Sequence, residues 1–256
     1  MGSSSVPDKE QQAMTILQHL DQLRKTIIIS LIAIVVTSII SFAFIEQILA
    51  VITKPLTAQG IKPVYTAITE GIFTYFKVAF LTGTLFATPV IIWQVWRFVV
   101  PALYPNEKKY LYKLVPISII LFIGGVVFAY YTLFPMAVYV LIKLASEFEP
   151  MLTISKYLSF TLSFLIPCGL IFEFPLVVYF LTSIGVLTPQ LLIRYRKYAI
   201  VSIFVLAAVL TPGPDPLSQS IMAAPMLILY EVGILVAKVV AKKKGNKYKK
   251  LASEEG

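Results

Sequence analysis

One cysteine, Cys168, and one histidine, His19, are all that 256 residues provide of either type. A lone thiol within an apolar run excludes an intramolecular disulfide and leaves redox chemistry without a partner. A lone imidazole excludes a histidine-rich metal site. No P-loop, HExxH motif, Ser/His pairing or acidic metal cluster occurs, so an intramembrane enzyme is not expected, and no cofactor is. Charge is scarce as well: 14% of residues are charged and 58% are hydrophobic, with a mean hydropathy of +0.83. Polar surface this sparse cannot cover a soluble globule, which leaves an integral membrane protein with one transmembrane domain. The first twenty-odd residues are polar and the first apolar run is span-length, so no cleavable signal peptide is expected. Residues 1–13 read as a disordered tail.

What is present is a series of apolar runs. Ile16, Leu17, Leu20, Leu23 and Ile27 recur at helical spacing, predicting an amphipathic surface helix that runs into the membrane. Thr26 to Ile45 supplies 20 uncharged residues, enough to cross a hydrocarbon core of roughly 30 Å. Between Glu46 and Phe76, Pro55 and Pro63 are expected to stop helices, giving a short interfacial helix and an ordered loop. Val78 to Trp96 is the second span, closed by an expected interfacial pair, Trp93 and Trp96. Leu114 to Ile142 is longer than one span requires, and Pro135 is expected to end that third helix. Lys143 to Lys156 reads as a second extramembrane segment. Tyr157 to Ile193 holds a long fourth span kinked at Pro167 and Pro175 and ended by Gly185 and Thr188-Pro189. Tyr198 to Leu210 has only 13 uncharged residues, and Leu217 to Ala237 forms a last span interrupted by Pro225. These lengths predict an all-α bundle of six transmembrane helices, at about 26–45, 76–96, 114–134, 157–184, 198–210 and 217–237. The fifth and sixth are short and lie beside a locally thinned bilayer. A basic tail, 241–256, follows.

Six spans place both termini on one side. Seventeen Lys and Arg fall on that side and five on the other, which assigns both ends to the cytoplasm. The C-terminal run KKKGNKYKK is accounted for as a topogenic, lipid-binding tail, so nucleic-acid binding is not expected.

The stretch Gln94 to Lys109, QVWRFVVPALYPNEKK, interrupts this pattern. Its arginine, aromatics, two prolines, glutamate and lysine pair suggest a cytoplasmic docking surface for a peptide. Glu107 permits two readings. With Pro105 it fits a helix start, where an acid is favoured by the macrodipole; as an exposed carboxylate it could take a guanidinium bidentately. Glu173, between Phe172 and Phe174, is deep in the fourth span. Burying a carboxylate in lipid costs upwards of roughly 3 kcal/mol, so it reads as a neutral structural group, a proton relay or a contact for a partner helix. His19 and Arg24 read first as interfacial anchors, and Asp215 as a turn former.

Taken together, these residues resemble TatC, the multispanning core subunit family of the twin-arginine protein translocase. The matching pieces are His19-Leu-Asp-Gln-Leu-Arg24, Pro89-Val-Ile-Ile-Trp-Gln-Val-Trp-Arg-Phe98, Pro101-Ala-Leu-Tyr104 with Glu107, Phe172-Glu-Phe-Pro175, Arg196-Lys-Tyr198, and Leu210-Thr-Pro with Asp215 and Ser218-Gln219. They run in order from about residue 14 to 240. The resemblance implies six helices in a concave arrangement with both ends cytoplasmic, in the cell membrane. It also implies binding of the twin-arginine signal peptides of folded precursors at the cytoplasmic face. TatA- and TatB-type single-span partners, self-association and a proton gradient as energy source are implied as well. Two acidic positions are implied to engage the arginine pair. Glu107 matches one; the other falls on Gln22, with Asp21 adjacent but rotated by about 100° on a helix. Either Asp21 reaches the site, or the pocket keeps one carboxylate and one amide. The implied signal-peptide set is Glu107, Gln22, Asp21, His19, Arg24, Arg97, Phe98, Pro101, Leu103 and Tyr104, with Phe98, Leu103 and Tyr104 as its apolar wall. Glu173 and Gln219 are candidate polar contacts for partner helices, and Pro55 and Asp215 structural loop or turn residues. A proton-coupled solute transporter using Glu173 is the alternative. Against it stand a single mid-chain intramembrane acid and the lack of an internal repeat.

Overall fold

A computed structural model of the chain describes residues 7–61, 63–65, 67–103, 109–144, 152–211 and 215–254. Those residues are helical almost throughout: α1 (Pro7–Ala43), α2 (Ile45–Thr57), α3 (Ile68–Leu103), α4 (Lys109–Phe128), a π-helical turn (Ala129–Leu133), α5 (Phe134–Leu144), α6 (Ile154–Phe172), α7 (Phe174–Ile184), α8 (Pro189–Arg194), α9 (Arg196–Leu210) and α10 (Pro216–Glu254). Five stretches are long and apolar enough to cross a bilayer: His19–Ala43, Thr69–Val99, Lys113–Leu144, Ile154–Ile184 and Pro216–Lys243. The short fifth element of the six expected is α9, whose 15 residues reach about 22 Å.

Contacts divide the chain into two compact units, one of Met1–Ile45 with Tyr75–Ile119, the other of Glu46–Thr74 with Ile120–Gly256. In the first, α1 and α3 approach closely at Gly83. A Cβ on Gly83 would lie 2.5 Å from the Ser38 Cα and 2.6 Å from its nitrogen, so only glycine permits this crossing. Thr37 Oγ1 donates across it to the Gly83 carbonyl at 2.7 Å. Further along, buried Trp96 donates its indole N–H to Ser118 Oγ on α4 at 2.8 Å. Trp96 is therefore an internal tie within the protein rather than half of an interfacial pair.

The second unit is built on α10, which packs against α5, α6, α7, α8 and α9. Phe134, Tyr157, Phe160 and Phe164 form an edge-and-tilt aromatic cluster. The loops at one end are stitched together by backbone: Val64 N–H donates to Leu152 O at 2.9 Å and Ile154 N–H to Val64 O at 2.8 Å. Tyr130 and Tyr157 hydroxyls donate to the Val51 and Ile52 carbonyls of α2.

Several boundaries differ from the sequence expectations. The helix α1 begins at Pro7, inside the stretch read as disordered, and joins the amphipathic segment and the first span without a break. Pro55 lies inside α2, two residues before its end; it costs one backbone bond there, in the last turn, where the helix is about to stop anyway. Helix α3 starts at Ile68, ten residues before Val78. Pro135 does not end the third helix. Its missing N–H and its ring, which would meet the carbonyl four residues back, coincide with a register slip to π geometry over Ala129–Leu133, after which α5 continues to Leu144. The fourth span does break beside Pro175, which occupies the first turn of α7 after the interruption at Glu173, whereas α6 continues as helix through Pro167. Gly185 ends α7 at φ 85°, a left-handed cap, and Thr188 with Pro189 starts α8. The last helix passes through Pro225 uninterrupted and extends well beyond Ala237.

Candidate functional site

Along α1, residues 19, 22, 26 and 29 recur at spacings of three and four, so His19, Gln22, Thr26 and Ile29 share one ridge. Residues 94, 97 and 98 do the same on α3. The two ridges meet. The His19 ring stacks on Phe98 with centroids 4.1 Å apart and planes 21° from parallel. Gln22 Nε2 donates to the Arg97 carbonyl at 3.0 Å. Beside these contacts opens a cleft of about 330 Å³ lined by Asp21, Gln22, Lys25, Thr26, Ile29, Gln94 and Arg97. Gln94 and Thr26 are buried at its base.

Asp21 sits one residue off the α3-facing ridge, on the rim of the cleft. Its carboxylate pairs with Lys25 Nζ at 2.7 Å, an i,i+4 contact whose side chains are 54% and 70% exposed respectively. Asp21 is the one carboxylate among the described residues lining the cleft, alongside two cations, Lys25 and Arg97. The site can therefore offer a carboxylate and an amide oxygen left to accept while its nitrogen is engaged.

Of the residues singled out in the sequence, the structure brings together His19, Asp21, Gln22, Arg97 and Phe98. Arg24 is exposed on α1 and does not line the cleft. Pro101 and Leu103 belong to the last turn of α3. Tyr104 and Glu107 lie outside the described residues. Lys25, Thr26, Ile29 and Gln94 were not singled out as site residues; the i, i+3, i+4 spacing from Gln22 on α1 and from Arg97 on α3 is the signal that finds them.

The other candidates lie in the second unit. Glu173 occupies the turn between α6 and α7, half-buried. Asp215 does more than shape a turn: its Oδ1 accepts the Ser218 N–H at 2.6 Å, capping α10 ahead of Pro216 at the first helical position. Gln219 donates to the Phe204 carbonyl at 2.9 Å, tying α10 to α9. Pro55 is half-buried near the end of α2. An ion pair with no local sequence signal joins Arg196, at the start of α9, to Glu231 on α10, with Arg196 Nε donating to Glu231 Oε1 at 2.7 Å. Next to it the Tyr230 hydroxyl donates to the Leu192 carbonyl at 2.7 Å.

The family described as Sec-independent protein translocase protein (TatC) matches residues 18–225. A Sec-independent protein translocase protein TatC from Carboxydothermus hydrogenoformans is 47% identical over 235 residues, covering 91% of this chain and 97% of its own. The TatC of Aquifex aeolicus is 37% identical, covering 90% of this chain and 98% of its own, and TatCy of Bacillus subtilis 35% identical, covering 90% and 91%. Among solved structures, a crystal structure of the twin arginine translocase receptor TatC superposes with a TM-score of 0.78 at 36% identity, covering 87% of this chain and 99% of that one. A second, in DDM, gives 0.79 at 37% identity, covering 86% and 99%. The chain thus belongs to the TatC family of Sec-independent protein translocases, as a non-catalytic, multi-pass membrane component of the protein-transport machinery.

Proposed function

We propose that this chain is the signal-peptide receptor and core subunit of a twin-arginine translocase. It binds the twin-arginine signal peptides of folded precursors at its cytoplasmic face and assembles with single-span TatA- and TatB-type subunits for export driven by the proton gradient. The observation that carries this reading is the α1–α3 cleft, where α1 and the end of α3 present acceptors at one opening, with the His19–Phe98 stack joining the same two helices. Two neighbouring arginines on an extended peptide need carboxylate or carbonyl acceptors in a partly desolvated groove, and a planar guanidinium takes a carboxylate through two parallel bonds. Glu107, four residues beyond the end of α3 in sequence, supplies the second charge, with Phe98, Leu103 and Tyr104 as apolar wall. The seventeen-to-five distribution of Lys and Arg supports both termini in the cytoplasm and residence in the cytoplasmic membrane.

The test is direct binding of a synthetic twin-arginine signal peptide to the purified protein in lipid nanodiscs. Replacing both peptide arginines by lysine should weaken binding about tenfold or more, because an ammonium cannot reproduce the bidentate contact. Glu107→Ala should cost at least about tenfold, the magnitude of a lost charged hydrogen bond, without lowering thermal stability. Unchanged affinity in Glu107→Ala would remove that residue from the site.

A further inference from the structure

We infer that the α1–α3 cleft is a binding site for the headgroup of a zwitterionic phospholipid, one whose phosphate is followed by a primary ammonium. The inference stands on the charges of the lining and on their depth, and holds whether or not a peptide uses the same opening.

Lys25 is the last charge before the uncharged run that begins at Thr26, and Arg97 the first charge after the run that ends at Trp96. Each marks the level at which its helix passes from hydrocarbon to the headgroup layer, where long cationic side chains keep their stems in apolar surroundings and their heads in water. The fold brings both to one cleft, with Asp21 as a third charge and Ile29 on the apolar side. Two cations at this level are by themselves ordinary interfacial anchors, which meet any lipid phosphate. Asp21 is what an anchor does not need. A carboxylate in a layer of phosphates is repelled unless the ligand brings a cation with its anion.

Donors and acceptors match such a ligand. Lys25 Nζ holds Asp21 Oδ2 at 2.7 Å, which uses one of the ammonium's donors and part of the carboxylate's acceptor capacity. Lys25 keeps donors for a phosphate oxygen, and Asp21 keeps acceptors for the ligand's ammonium. Arg97 presents a planar fork suited to phosphate. The cleft, about 330 Å³, is at the small end of ligand sites, roughly 300–1,000 Å³; it takes a headgroup but not acyl chains. The chains have their own track. From Lys25, Ile29, Ile32 and Val36 follow at spacings of three and four on one side of α1, all exposed, and exposed Val90 lies one turn into the membrane from Gln94 on α3. A choline headgroup has no N–H to donate and a glycerol headgroup has no cation, so both forgo the hydrogen bond to Asp21.

The experiment is native mass spectrometry of the full chain in detergent with equimolar phosphatidylethanolamine, phosphatidylcholine and phosphatidylglycerol of matched acyl chains, the first bound lipid being identified by its mass. The ethanolamine lipid should exceed the choline lipid by about threefold or more, the size of an exposed charge pair. Asp21→Asn should remove that preference and raise the share of the glycerol lipid. Lys25→Met and Arg97→Gln should each lower the uptake of all three lipids. Lys113→Met, an exposed cation of the same unit that does not line the cleft, should change neither amount nor preference. All four side chains are exposed, so the fold is expected to survive each substitution. Equal uptake of the ethanolamine and choline lipids by the unsubstituted chain, or a preference that survives Asp21→Asn, overturns the inference. Displacement of the bound lipid by soluble phosphoethanolamine at the same concentration would assign the cleft to a free phosphate ester and overturn the lipid as its occupant.

Discussion

The two units of this chain hold together by different means. In the second, α10 runs alongside five other helices, aromatic rings interlock at Phe134, and loops distant in sequence exchange backbone hydrogen bonds at Val64. In the first, α1 commits little of itself: 11% of its apolar window is buried, against 44% for the last helix. It is held at a few points, the Gly83 crossing, the Gln22–Arg97 tie and the His19–Phe98 stack. Membrane helices are held together by packing contact and interhelical hydrogen bonds, so the second unit is the stable scaffold and α1 the adjustable element. That division suits a protein whose cleft is built on α1. Low local stability is the usual property of elements that open for a ligand.

In the second unit, a Cβ on Gly169 would lie 2.6 Å from the Phe122 ring, and one on Gly125 would lie 2.8 Å from the Cys168 carbonyl and 2.9 Å from the Gly169 Cα. Gly125→Val faces backbone that cannot yield and should be the most damaging substitution, by about 3 kcal/mol or more, read as a lowered melting temperature with peptide binding lost alongside. Gly83→Val meets the Ser38 backbone, but α1 can back away into lipid. Its melting temperature should fall less, while peptide affinity falls at least as far. Equal melting shifts at the two sites would end the distinction between scaffold and adjustable helix.

Trp96→Phe should have an intermediate effect. It removes the buried indole bond to Ser118 and leaves that hydroxyl buried at 0% exposure, costing about 1–2 kcal/mol. The same substitution at Trp93, 36% exposed, should cost clearly less. The smallest effect is expected at Arg196→Gln. Its pair with Glu231 is about half exposed on both sides, and such pairs contribute roughly 0–1 kcal/mol. A small drop in melting temperature that shrinks further in high salt, with peptide affinity unchanged, is the expected result.

Much of the fold is legible along the chain because span length and apolar runs are local properties. The terminators Gly185 and Thr188-Pro189 act locally too and end helices where expected. Proline misleads where context repairs it. Pro135 is absorbed by a π turn, Pro55 falls where α2 is ending, and Pro225 and Pro167 are carried inside α10 and α6. The ends of α1, α3 and α10 extend past the apolar runs because polar residues continue a helix as well as apolar ones do; composition marks the membrane, not the helix end. At the site, His19, Gln22, Arg97 and Phe98 could each be picked out, but not that His19 meets Phe98 or that Gln22 meets Arg97, since those pairs are 79 and 75 positions apart. The Arg196–Glu231 pair escapes for the same reason. Lys25 counts as a topogenic charge in the sequence, and only the fold shows its 2.7 Å contact with Asp21 in the lining of the cleft.

The central claim is that the cleft between α1 and α3 receives the arginine pair. The most direct measurement is site-specific photo-crosslinking of a twin-arginine precursor from Phe98 and from Tyr104, with exposed Tyr139 of the second unit as the comparison position. Crosslinks are expected from Phe98 and Tyr104 that vanish when the precursor's arginine pair is changed to lysines, and none from Tyr139 that depend on that pair. Pair-dependent crosslinking from Tyr139 with none from Phe98 or Tyr104 would contradict it.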